Sequence, residues 1–348
     1  FSRDSIPEIC VRTTVFFVNF DCFFLQKSAS FGTKISHIFT VFCPSFFCSI
    51  FCKEFCVVNK LIDKFNGDDF VVTSELTPPK GTDVSMLLSK AEVLAPVVDA
   101  VNVTDSHGSK MSLSPIASAK LLKDVGVEPI LQITTRDRNR IALQSDMMGA
   151  WVLGIENLIC MGGDPPHLGD HPDAKPVFDI PTEQLIKAAK NLNEGCDLMA
   201  NSLKGNTSFN IGAVVNPGAD DWAGEVNRLE KKVESGATYF QTQAVFDVNL
   251  FAQFMEKIKH LDIRVLAGIM PIKSAKMALY MNNNIPGIEV PEAIIKRIEQ
   301  ADDILEESVT ISSEIIQGLR NMCAGIHIMA PGWETNIPML VERSGLAI

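Results

Sequence analysis

Two stretches of this chain join a carboxylate to a stiffened loop: Ser74-Glu75-Leu76-Thr77-Pro78-Pro79 and Met161-Gly162-Gly163-Asp164-Pro165-Pro166. Each follows a run of strand formers, so each acid leaves an apolar environment and is either exposed or used. Proline fixes the backbone φ, so both loops hold their acid in one direction. Gly162 and Gly163 let the backbone approach a flat or phosphorylated ligand. Two carboxylates at one site can have separated pKa values, one protonated and able to donate, the other ionised and able to steady a cation. An acid at the end of a mostly apolar strand predicts a raised pKa for Glu75. The plainer reading is that both acids cap the helices that follow.

Other polar residues fall at the ends of apolar runs: Thr104-Asp105, Gln132, Thr134, Asn216, Gln243 and His327. Arg228 and Lys232 stand four apart on a helical pattern, so they share a face and can both meet a phosphate. Trp222 and Trp333 read as packing residues. No metal site is expected.

Something must bring these residues together. Short apolar runs alternate with amphipathic stretches from about residue 60 onward. The strand candidates are 70–74, 100–103, 128–133, 157–160, 210–214, 239–243, 265–269 and 325–328. Helical patterns cover 84–94, 114–125, 138–153, 182–194, 220–235, 248–260 and 274–281, with a longer block over 291–321. Strands this continuously apolar belong to a parallel sheet buried on both faces. Eight of them with eight crossovers predict a single-domain (β/α)8 TIM barrel, whose chemistry sits at the C-terminal ends of the strands. A doubly wound sheet is the alternative. No G-x-G-x-x-G follows any strand, which leaves a dinucleotide-binding half unsupported.

The net charge of −11 argues against nucleic acid or an anionic membrane as partner, since phosphate binding needs clustered Lys and Arg. Residues 1–58 stand apart, with 13 of the 21 Phe and 6 of the 9 Cys. Three readings of this leader are open. One is a signal or membrane segment around the uncharged run 35–52. Another is a metal site from Cys43, Cys48, Cys52 and Cys56, whose spacing matches no zinc or iron–sulfur pattern. The third, adopted here as the expectation, is that 1–58 is no part of the native fold and the chain proper starts near Val57, Val58 or Leu61. Cys160, Cys196 and Cys323 remain in the body of 59–348, which fits a reducing cytoplasm.

Five motifs in order resemble the methylenetetrahydrofolate reductase family: Ser74–Pro79, Val101-Asn-Val-Thr-Asp105, Met161–Pro166, the Gly236–Asp247 run through Phe240-Gln-Thr-Gln243, and Gly268-Ile-Met-Pro-Ile272. The resemblance spans Leu61 to the C-terminus. It implies a barrel that binds a flavin (FAD, with FMN open) and takes electrons from NADH or NADPH. It implies reduction of 5,10-methylenetetrahydrofolate to 5-methyltetrahydrofolate. In that light Glu75 matches the family's acid, Asp164 the carboxylate beside flavin and pterin, and Gln243 a folate-binding glutamine. Thr104, Gly163, Arg228 and Lys232 match positions that hold the flavin and its phosphates. Phe178 matches an aromatic residue on the cofactor. Gln132, Gly162 and Asn216 complete the expected cofactor set. Gly162 and Gln132 replace an Arg and a His of the best-known bacterial members, and Met329–Glu334 lacks their polar ending. A homo-oligomer is expected, with a partner electron-transfer subunit a further option. Two other functions stay open: a pterin-binding barrel that passes a methyl group to cobalamin, and a non-catalytic flavin- or folate-binding subunit.

Overall fold

A computed structural model describes residues 61–67 and 69–346. The leader 1–58 lies outside the described residues.

Eight parallel strands close into a barrel in sequence order: β1 (Val71–Leu76), β2 (Ala100–Val103), β3 (Pro129–Thr134), β4 (Asn157–Met161), β5 (Asn210–Val215), β6 (Tyr239–Ala244), β7 (Arg264–Ile269) and β8 (Gly325–Ile328). Closure is made by β8 on β1, with Val71 opposite Gly325 and Ser74 opposite Ile328. The helices are α1 (Leu61–Asn66), α2 (Ser85–Leu94), α3 (Pro115–Asp124), α4 (Arg140–Val152), α5 (Thr182–Asn193), α6 (Trp222–Ser235), α7 (Val248–Ile258), α8 (Ala275–Asn284), α9 (Glu292–Gln300), α10 (Ile304–Leu319) and α11 (Ile337–Arg343). The expected eight-stranded barrel is therefore the fold. No described helix is long and apolar enough to cross a membrane.

The described residues pack two cores. The larger lies between the strands and the helices outside them, from Val72 and Leu76 round to Ile326 and Ile328. The smaller fills the N-terminal half of the barrel with Val71, Ala100, Ile130, Ile159, Tyr239 and Leu266. Helix α1 joins this inner core through Leu61 and Phe65, the Phe65 ring lying 5.3 Å from that of Tyr239. With that end filled by side chains, the C-terminal mouth is left for a ligand.

Most expected boundaries shift by one to three residues, and two of the differences bear on the site or the topology. Strand β1 runs on to Leu76, so Glu75 is inside it, paired with Asn102, rather than beyond its end. The block 291–321 breaks at Ala301–Asp303 into α9 and α10. There the Asp303 carboxylate accepts from Leu305 N and Glu306 N and starts a new helix.

Candidate active site

A cleft of about 430 Å³ opens at the barrel mouth. Glu75, Gln132, Gly162, Gly163, Asp164, Asn216, Lys232 and Gln243 all line it. Of the other expected residues, Thr104, Arg228 and Phe178 are not among its lining. Below it, the Asn102 and Gln241 amides bond each other reciprocally across the interior, at 2.6 and 3.0 Å. Satisfied amides make a polar yet closed floor.

Glu75 points into this cleft from β1. Its Oε2 lies 3.8 Å from Nε2 of His327, which β8 supplies from the neighbouring strand. Burial pushes the Glu75 carboxyl up, but the neighbouring His327 imidazole, with His107 beyond it, outweighs burial and holds the group below its ordinary value. The sequence predicted a raised pKa. The apolar run suggested desolvation, and it could not show an imidazole arriving from the opposite end of the chain.

Asp164 is exposed at the lip, on a loop fixed from beneath. Gly163 has φ +89°, and a Cβ there would come within 3.1 Å of Thr134 Cβ and 3.2 Å of Arg136 Cβ. Arg136 is buried, and its Nη1 reaches Ser109 Oγ at 3.1 Å and the Asp164 carbonyl at 3.5 Å. Ser109 Oγ also donates to the Asp164 carbonyl. Asp105 accepts from the Thr134 backbone and hydroxyl, both at 2.9 Å, and pairs with Arg138. Sequence reasoning missed Arg136. The signal was the cluster Arg136-Asp137-Arg138 directly after β3.

Lys232 is buried on α6, with Nζ donating to Val214 O at 2.7 Å. Burial pushes its pKa down, against the opposing pull of Glu225 and Glu183. Glu225, also missed, is the buried acid of this corner. Its Oε1 accepts from Asn216 N at 2.9 Å, and its Oε2 takes Arg228 Nε at 2.9 Å and Nη2 at 2.7 Å. Its spacing from Arg228 and Lys232 places all three on one stripe of the helix. Arg228 is exposed beside the cleft. Phe178 is exposed too, with φ +38° and its N–H on Thr135 O at 3.1 Å.

Gln243 is aimed by a fault in the sheet. The β6–β7 register shifts between Gln241 and Ala244, and the Thr242 hydroxyl takes the Gly268 N–H at 2.8 Å. A bulge of this kind re-aims a side chain at a barrel rim. Gly268 is required here, since a Cβ would lie 2.6 Å from Thr242 O and 2.8 Å from Gln243 O.

The sequence profile of the methylenetetrahydrofolate reductase family matches residues 60–345. Methylenetetrahydrofolate reductase 2 of Schizosaccharomyces pombe is 23% identical over 310 residues, covering 82% of this chain and 47% of its own. The chain thus spans about half the length of that relative. The 5,10-methylenetetrahydrofolate reductase of Escherichia coli K12 is 22% identical over 256 residues, covering 70% of this chain and 78% of its own. Among solved structures, a Clostridium thermocellum protein described as binding two copies of 5-methyl-5,6,7,8-tetrahydrofolic acid superposes with a TM-score of 0.56 at 16% identity, over 82% of this chain and 99% of that one. That likeness is one of fold. With the family profile matched across nearly the whole described barrel, the chain belongs to the methylenetetrahydrofolate reductase family.

Proposed function

We propose that this chain is a flavin-dependent reductase, converting 5,10-methylenetetrahydrofolate to 5-methyltetrahydrofolate with NADH or NADPH as electron donor. The supporting observation is that Glu75, Asp164 and Gln243 converge on one cleft in a chain of this family. The folate derivative bound by the Clostridium thermocellum protein is in keeping with a folate ligand.

The residues present fit a flavin. The Thr104 hydroxyl is buried without a partner, Gly163 has no room for a side chain and lines the cleft with bare backbone, and Lys232 sets a buried amine at the cleft. Thr104, Gln132, Gly162, Gly163, Asn216 and Lys232 would hold it, with Arg228 and Phe178 at the rim. When bound, a flavin supplies the two-electron carrier between the nicotinamide and the one-carbon unit.

The chain's own side chains handle the proton and the charge. Glu75 gives a proton to a nitrogen of the folate's five-membered ring. The C–N bond breaks, and the ring opens to an iminium cation. The Asp164 carboxylate stabilises that cation. The Gln243 amide hydrogen-bonds the pterin.

The absorbance spectrum of the purified chain tests this. A flavin spectrum that NADH or NADPH bleaches and methylenetetrahydrofolate restores is expected. A colourless protein that passes methyl groups to cobalamin would replace this reading, and bleaching that folate does not reverse would defeat the substrate.

A further inference from the structure

Beside the active-site cleft lies a second cavity of about 690 Å³, larger than the cleft at about 430 Å³. The two share a border. Asn216 and Gln243 line the cleft, and the next residue after each, Pro217 and Ala244, lines the cavity. Its roof is the chain between α8 and α9, pinned to the loop after β5. Asn216 Nδ2 donates to Pro286 O at 3.3 Å. Gly287, at φ +76°, has no room for a side chain, since a Cβ would lie 2.0 Å from Asn216 Nδ2. Gly218 packs so closely that its Cβ would lie 2.2 Å from Gly287 O. The roof is therefore held in place before a ligand arrives. Val245, Phe246, Phe251 and Ile288 give buried apolar walls.

The polar side chains of this lining offer acceptors. Asp220 and Glu289 are exposed carboxylates with no partner among the described residues. Asp247 spends one oxygen on capping α7, at Asn249 N and Leu250 N, and keeps the other. Asn283 and Asn284 donate their amides to Leu279 O and Tyr280 O of α8, which leaves their side-chain oxygens. Asn282 is spent on the N–H and carbonyl of Val290. Among the described residues, no Lys, Arg or His lines the cavity. Such a lining suits a neutral group with a flat apolar face and several donors, and it disfavours an anion. Adenosine has that chemistry. Its ring is flat and carries an amine, and its ribose hydroxyls donate to carboxylates, as they do to the acid of a dinucleotide-binding site. A phosphate on the ribose 2′ oxygen would meet three carboxylates and no cation.

Building on the reductase reading above, we propose that this cavity holds the adenosine end of the nicotinamide co-substrate and selects NADH over NADPH. The nicotinamide ring has to reach the cleft, so the rest of the molecule has to lie beside it. The border at Asn216 and Gln243 gives the way through, and the cavity is of the size that such ligands fill. Asp220 and Glu289 are the specificity-determining residues, because their carboxylates have no other task.

Anaerobic stopped-flow of flavin reduction against NADH and NADPH concentration measures the selection. The wild type is expected to favour NADH by about 10²-fold in the ratio of rate to half-saturating concentration. Asp220→Asn combined with Glu289→Gln should narrow that preference by about 10-fold with flavin content retained, and Glu289→Arg should move it toward NADPH. Calorimetry gives a second readout that needs no turnover. The wild type should bind 5′-AMP in competition with NADH, and adenosine 2′,5′-bisphosphate at least about 10-fold more weakly. The paired Asn and Gln variant should lose most of the 5′-AMP affinity. Equal use of NADH and NADPH by the wild type would overturn the proposal, as would 5′-AMP binding that the variants leave untouched. Loss of flavin from the paired variant would give the cavity to the flavin instead, and binding of spermine with 5′-AMP silent would make it a site for an organic cation. Either result overturns the proposal. NADH-reduced flavin that methylenetetrahydrofolate cannot reoxidise would sink the folate reading alone, and a protein without flavin would sink the reductase reading. In both cases 5′-AMP calorimetry still judges the cavity.

Discussion

Lys232 and Asp164 show how different surroundings suit two residues to different tasks. Lys232 is buried against Val214 O with its pKa pushed down by burial, so the fold tolerates an amine that water would charge more readily. Replacement by Met keeps the volume and removes the donor. Flavin affinity, read by fluorescence titration, should fall by about 10- to 100-fold with the barrel intact. Asp164 is exposed and its loop is held through its backbone carbonyl, so Asp164→Asn should leave the loop in place. That variant should keep its flavin and lose roughly 10²-fold in folate turnover. Recovering it without flavin would make Asp164 structural. Both acids were legible because each comes shortly before a Pro-Pro pair. His327, Glu225 and Arg136 were illegible as partners, because what gives them meaning comes from another strand or helix. Thr73 and His327 are 254 positions apart in sequence and 3.0 Å apart in the fold.

Strands and helices were read with more success than their ends. Continuous apolar runs gave all eight strands, since a strand covered on both faces has no polar side to hide. The same apolar criterion stopped β1 at Ser74, where the backbone pairing continues through Glu75 to Leu76. It gave no sign of the β6 bulge either, since a bulge is a matter of register rather than composition. That bulge supports a prediction. Gly268→Ala forces a methyl against two carbonyls of β6 and should displace Gln243. The folate KM should rise by about 10-fold while flavin content holds, and denaturant melts should show a loss of about 1–3 kcal/mol. An unchanged folate KM would remove Gln243 from substrate binding.

Across the whole molecule, the barrel joins groups from both ends of the sequence, and its stability should carry the mark of that in acid. The folded Glu75 carboxyl sits below its unfolded value of about 4.3. Its contribution is therefore fully present above that pH and is lost as pH falls through the lower folded value. Denaturation midpoints of the wild type should drop below about pH 4.3, and Glu75→Gln should make that drop shallower. An equally steep acid limb in the variant would mean that Glu75 gains nothing from His327. The central claim, that Glu75 is the proton donor for folate reduction alone, is tested most directly by single-turnover kinetics of wild type and Glu75→Gln in each half-reaction. The account predicts that NADH or NADPH reduces the flavin of both proteins at similar rates, while methylenetetrahydrofolate reoxidises the variant at least about 10²-fold more slowly. Equal reoxidation of the two, or a parallel loss in both half-reactions, would contradict it.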